Sequence, residues 1–90
     1  MAVYLVTYDL NKAGKDYKSL YDEIQALGSW SHYLDSTWFV DTSLTATQIR
    51  DKLISVMDSN DYLFVTKVTR NYSGWLQTKA WDWLTDHVKD

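Results

Sequence analysis

The run Val3-Tyr4-Leu5-Val6-Thr7-Tyr8-Asp9-Leu10 constrains the fold more than any other stretch of the chain. It is apolar, β-branched and aromatic, the composition that suits a pleated and buried ribbon. Val3, Leu5, Thr7 and Asp9 alternate with Tyr4, Val6, Tyr8 and Leu10. Both faces are largely apolar, so the strand is expected at the centre of a sheet covered on both sides. Asp is a poor strand former, yet Asp9 stands at the tip of this one. Two physical reasons are open. The carboxylate caps the following turn by accepting N–H bonds from Asn11 or Lys12, or it ligates a divalent metal ion.

The remaining periodicities supply partners for that strand. After the loop Asn11-Lys12-Ala13-Gly14-Lys15, Asp16 is placed to cap a helix whose stripe is Tyr17, Leu20, Tyr21, Ile24 and Leu27. Gly28 stands where a helix C-cap glycine belongs. The Trp-, Tyr- and Thr-rich stretch from Ser29 to Thr42 exceeds one typical strand. It divides at Leu34-Asp35-Ser36, a hairpin turn or bulge, into strands Trp30–Tyr33 and Thr37–Asp41. Thr45 and Gln48 form a capping box for a helix burying Ile49, Leu53 and Val56 or Met57. Asp58-Ser59-Asn60-Asp61 is a turn cluster. Tyr62–Thr69 alternates as a fourth strand, and a terminal helix from about Thr78 to Val88 carries Ala80, Trp81, Leu84 and Val88 as its stripe. The order β-α-β-β-α-β predicts an α+β, ferredoxin-like antiparallel sheet with an additional C-terminal helix. Two helices occupy one face, and the other stays open unless something covers it. A single domain spans 1–90, with 1–70 as its core and 71–90 as an extension bearing the helix.

Composition bounds what such a domain can do. Ninety residues support one core. A chain this short buries only roughly 60–65% of its unfolded surface, so oligomerisation would add needed stability. Twelve acidic residues against nine basic ones give a net charge of −3, the wrong sign for a protein that lives on nucleic-acid phosphates. The chain has no Cys, which excludes disulfides, thiolate zinc sites and cysteine nucleophiles. No apolar run approaches the roughly 20 residues that span a bilayer. The first residues lack the basic-then-apolar layout of a signal peptide, so the cytoplasm is the expected location.

A strand ending Tyr8-Asp9-Leu10, a helix closing on Gly28, and Ser36-Thr37-Trp38-Phe39-Val40 after it resemble the small CRISPR-associated adaptation subunit and its VapD-type ribonuclease relatives. The resemblance covers roughly residues 1–70 and is closest to small prokaryotic members of that superfamily, some with Trp-rich C-termini. It implies a ferredoxin-like homodimer in which Asp9 of each subunit lies near the twofold axis and shares Mg²⁺ or Mn²⁺. It also maps the family's Ser-Val-Phe position onto Ser36 or Thr37, followed by Trp38 and Phe39. Ser31, His32 and Tyr33 stand where adaptation subunits carry basic residues. RNA, DNA or a small nucleotide are the ligands implied.

The candidate residues each have a structural reading beside the functional one. Asp9 is the metal and catalytic candidate, and a metal-bound water there would have a lowered pKa. His32 has the chemistry of a general base, and equally that of a half-exposed strand histidine. His87, in the last turn of the terminal helix, suits the helix dipole. Lys12, Lys15 and Lys18 gather beside Asn11 and Gly14, a loop able to receive a phosphate but matching no phosphate-loop signature. Trp83 falls about 200° around the helix from Trp81, so one of the two is expected to be exposed or in an interface. Trp75, Trp81 and Trp83 could stack bases or anchor a protein partner. The charge balance favours the protein. The sequence therefore leads to a non-catalytic homodimeric adaptor with a protein or nucleotide partner, or to a metal-dependent endoribonuclease built on paired Asp9 carboxylates.

Overall fold

A computed structural model of the chain describes residues 1–89. Its elements are β1 (Ala2–Asp9), α1 (Lys18–Gln25), β2 (Ser29–Leu34), β3 (Thr37–Thr42), α2 (Ala46–Ile54), β4 (Tyr62–Lys67) and α3 (Thr78–His87). The fold is α+β. One four-stranded sheet has the order β2-β3-β1-β4, every neighbouring pair antiparallel. β1 is central, as its two apolar faces predict. Thr7 faces Thr37 on one side and Phe64 on the other. Among the described residues no helix is long and apolar enough to cross a membrane.

Period-two alternation sorts the side chains into two layers. Val6 and Tyr8 of β1 and Trp38 and Val40 of β3 meet Leu20 and Ile24 of α1 and Ile49 and Leu53 of α2 in the main core. Burying one such aliphatic side chain stabilises the fold by about 1.5–3 kcal/mol. On the opposite face Val3 meets Leu84 and Val88, with Phe39, Val68, Leu76, Trp81 and Trp83 packed around them. The terminal helix thus covers part of the face that two helices alone would leave open. Leu5, Thr7 and Asp9 of β1 and Tyr62, Phe64 and Thr66 of β4 share the remainder of that face by register.

Local chemistry explains the boundaries. The Asp16 carboxylate accepts a hydrogen bond from Lys18 N at 2.9 Å. That bond sits outside the helix proper, and α1 begins at Lys18 with Tyr17 as N-cap. Gly28 is not a left-handed cap, because the one glycine with positive φ is Gly14, at 77°. Glycine is required at 28 for a different reason: a Cβ there would stand 2.1 Å from the Asp41 carbonyl oxygen of β3. The hairpin turns at Asp35 and Ser36, and the β2–β3 register slips between Ser31 and Leu34. Turn and bulge are therefore both present. The capping box forms as read, with Thr45 Oγ1 accepting from Gln48 N at 3.2 Å and Gln48 Oε1 accepting from Thr45 N at 2.9 Å. β4 stops at Lys67 rather than Thr69, although Val68 N still donates to Val3 O at 2.8 Å.

Candidate functional site

The carboxyl end of β1 gathers most of the predicted residues. Alternation carries the Tyr8 side chain into the core beneath the helices and turns Asp9 to the other face, beside Tyr62 of β4. Asp9 is exposed, but it does not cap the turn. Asn11 N donates to Asp61 Oδ1 at 2.7 Å and Lys12 N donates to the Tyr17 hydroxyl at 3.2 Å. Asp9 contributes only its backbone carbonyl, which accepts from Asn11 Nδ2 at 3.3 Å. The capping role expected of Asp9 belongs to Asp61, because the loop after β1 folds towards the turn before β4.

Asp61 was legible only as a turn residue, and among the described residues it is the carboxylate with the most hydrogen bonds. Besides Asn11 N, its oxygens accept from Asp58 N at 2.8 Å and from the Tyr17 hydroxyl at 2.7 and 2.9 Å. Loss of hydration would raise its pKa, but the bonds from Asn11, Asp58 and Tyr17 and the charge of Lys15 outweigh that and hold it below the usual range. The Tyr17 hydroxyl shifts the other way, raised by desolvation and by the same bond to Asp61. The knot ties the β1–α1 loop, α1 and the approach to β4 together. Asn11 serves it too, donating a second side-chain bond to Asn60 O at 3.0 Å.

His32 lies at the same end of the sheet but on the other side. Its ring stacks on Trp38, centroids 3.8 Å apart and planes within 10°, and Trp38 belongs to the core beneath the helices. Asp9 projects from the opposite face, so His32 and Asp9 do not converge on one reacting atom. His32 Nε2 donates to the Asp35 carbonyl at 3.0 Å; a carbonyl only accepts, which fixes the hydrogen on that nitrogen. The same carbonyl accepts from the Tyr8 hydroxyl at 3.4 Å, and Tyr8 in turn accepts from Trp38 Nε1 at 3.0 Å. Burial raises the Tyr8 pKa despite the bond from Trp38. This network fastens the hairpin to β1.

Ser36 and Thr37 are engaged in the same fastening. Ser36 O accepts from Tyr8 N at 3.1 Å and from Thr7 Oγ1 at 3.2 Å, and the hydroxyls of Thr7 and Thr37 meet at 3.0 Å. The lysines do not form a phosphate cradle. Lys15 donates to Val56 O at 3.3 Å across the Tyr17 ring, and Lys18 pairs with Asp22 at 2.7 Å, leaving Lys12 exposed on the loop.

The tryptophans separate differently from the expectation. Trp81 and Trp83 are both half-buried on the second core, one on each flank of the Ala80–Leu84–Val88 stripe. An indole is wide enough to reach the sheet from a flanking position, so neither need be exposed. Trp83 stacks against Phe39 and His87, which makes it a packing residue. His87 Nδ1 donates to Trp83 O at 2.8 Å, and its Nε2 meets Ser29 Oγ at 3.2 Å, joining α3 to β2. Trp75, on the β4–α3 connection, is 98% exposed.

The Mg²⁺ or Mn²⁺ implied for Asp9 needs a shell of about six oxygens. Among the described residues no group of three or more His, Asp or Glu is placed to hold a metal ion. Thr7 and Thr37, on the same face, already bond each other. One copy of the chain does not supply that donor set. What sequence reasoning passed over is the pair Tyr62 and Phe64, 71% and 63% exposed on the uncovered part of the sheet. The signal was present as an edge strand apolar on both faces. No protein-family model matches the chain.

Proposed function

We propose that this chain is a small non-catalytic adaptor: a homodimeric, ferredoxin-like relative of the CRISPR adaptation-subunit and VapD-type superfamily that engages a protein partner through its sheet. The element order and the β2-β3-β1-β4 arrangement support the ferredoxin-like assignment. One observation carries the function: Tyr62 and Phe64 stand in solvent on a sheet face that α3 only partly covers. Aromatic side chains with little conformational freedom are the usual anchors of protein interfaces. The net charge of −3 and the engagement of Lys15 and Lys18 argue against a phosphate backbone as the ligand. Affinity capture with wild type and a Tyr62→Ser, Phe64→Ser double variant as baits tests this. A partner retained by wild type and lost by the variant is expected; identical captures would overturn the reading.

A metal-dependent endoribonuclease is the second reading, favoured by the Asp9 carboxylate, which is exposed and accepts no hydrogen bond among the described residues. A second copy would have to double the donor set. Under this reading calorimetry detects Mn²⁺ binding, and Asp9→Asn abolishes both that heat and RNA cleavage while keeping the fold. Absence of Mn²⁺ binding removes it.

A further inference from the structure

We infer that the uncovered end of the sheet is a seat for an arginine side chain of a basic protein partner. This rests on the adaptor reading above and names the chemistry that the partner must present. The seat is a shallow depression of about 260 Å³ lined by Thr7, Tyr8 and Asp9 of β1 and by Tyr62, Leu63 and Phe64 of β4. Register sets its layout. Asp9 lies opposite Tyr62 and Thr7 opposite Phe64, so alternation brings one carboxylate, one hydroxyl and two rings to the same face. Directly opposed side chains start about 4.5–5.5 Å apart at Cβ, and diagonal ones about 7–8 Å. One extended cationic side chain can therefore touch Asp9 and both rings together.

The Asp9 and Thr7 oxygens of this seat call for a donor. The Asp9 carboxylate is exposed and takes no hydrogen bond among the described residues, so both of its oxygens are open. The Thr7 hydroxyl directs its one hydrogen to Ser36 O at 3.2 Å, which leaves it an acceptor towards Thr37 at 3.0 Å and towards the depression. The matching charge is missing from the strands themselves. Among the described residues, β1, β3 and β4 place Asp9 and Asp41 on this face but no Lys, Arg or His. Arg50 borders the neighbouring groove with Phe64, and its guanidinium is held by Asp51 at 2.7 Å.

A carboxylate beside two exposed rings suits a cation with a flat, weakly hydrated head. A guanidinium bonds both oxygens of a carboxylate at once and stacks on aromatic faces, whereas an ammonium in so open a place keeps its water. The net charge of −3 steers a basic partner towards the chain. Each contact is modest alone, an exposed ion pair or an exposed cation–π contact amounting to roughly a two- to fivefold gain in affinity. The depression thus selects one side chain within a larger contact made by Tyr62 and Phe64, and it holds a free amino acid only weakly.

Amide chemical shifts of the full chain, titrated with N-acetyl-arginine amide and with its lysine and neutral citrulline counterparts, test the inference. The arginine compound at millimolar concentration should move the Asp9, Tyr62 and Phe64 amides. Citrulline keeps the shape and loses the charge, and it should bind roughly fivefold more weakly or worse. Asp9→Asn should lower arginine affinity by about fivefold while distant amides keep their positions. Shifts centred elsewhere, citrulline or lysine binding as well as arginine, or an Asp9→Asn protein that binds arginine as wild type does would each overturn the inference. None of these results touches the adaptor reading, which falls only if wild type and the Tyr62→Ser, Phe64→Ser variant capture the same partners. The comparison of arginine with citrulline on wild type decides the matter even if the Asp9 variant fails to fold.

Discussion

The sheet face beneath α1 and α2 is closed by Leu20, Ile24, Ile49 and Leu53, none of which retains any exposure, whereas the opposite face carries α3 over Val3 and leaves Tyr62 and Phe64 in solvent. Both cores mix aliphatic and aromatic side chains, but the fully buried positions of the second are Val3, Leu84 and Val88, and rings flank them. Trp81 lies against Tyr72, and Trp83 lies between Phe39 and His87. Flat rings reach sideways from one short helix and seal what they touch, but they do not spread over a whole sheet. The second core also buries the Ser31 hydroxyl, 3% exposed as a residue, with no hydrogen-bond partner among the described residues. One face provides stability; the other gives up part of that for accessible surface.

Substitutions can break or sharpen this contrast. Leu20→Ala on the closed face should cost about 4 kcal/mol in urea unfolding, because a fully enclosed site cannot collapse around the lost methyl groups. Leu84→Ala under α3 should cost less, about 2–3 kcal/mol, since a helix packed on one side relaxes into the space. Equal losses would mean that the two cores are equally tight.

Acid should loosen the closed side through the Asp61–Tyr17 knot. The folded Asp61 carboxyl has a lowered pKa, so between the folded and unfolded values the unfolded chain binds more protons. Its contribution is present above the ordinary Asp range near ~3.9 and is lost as pH falls through the folded value. Urea midpoints measured against pH should decline there in wild type and lose that component in Asp61→Asn.

Two smaller effects belong to the second face. Ser31→Ala removes an unpaired buried hydroxyl and should raise stability by about 1 kcal/mol. The Tyr62→Ser, Phe64→Ser variant should leave unfolding within about 0.5 kcal/mol of wild type, as surface changes do, while affecting partner capture. A large loss of stability would show those rings to be core.

Strand alternation and helix stripes were legible because burial acts directly on them: the central position of Val3–Asp9, the Leu20–Ile24 stripe and the Thr45–Gln48 box all follow from spacing. Contacts between distant segments were not. Asp61 accepts from Asn11 and Tyr17 across some fifty and forty-four positions of sequence, and no local pattern distinguishes it from Asp9 as the capping carboxylate. Period-two alternation could have separated Asp9 from His32, but the bulge in β2 hides which side that histidine takes. Gly28 looked like a helix cap for a similar reason; its real constraint is the carbonyl of Asp41, which only the assembled hairpin brings near.

The central place of β1 also governs how the molecule assembles. Tyr4 faces Val40 on one side and Lys67 on the other, so the middle ribbon closes only when a segment made much later arrives. Such far-separated pairings slow folding, since chain entropy must be lost before the contacts form. During synthesis this sticky, aromatic ribbon therefore waits with one flank bare, and the newborn chain is at its most aggregation-prone in that interval.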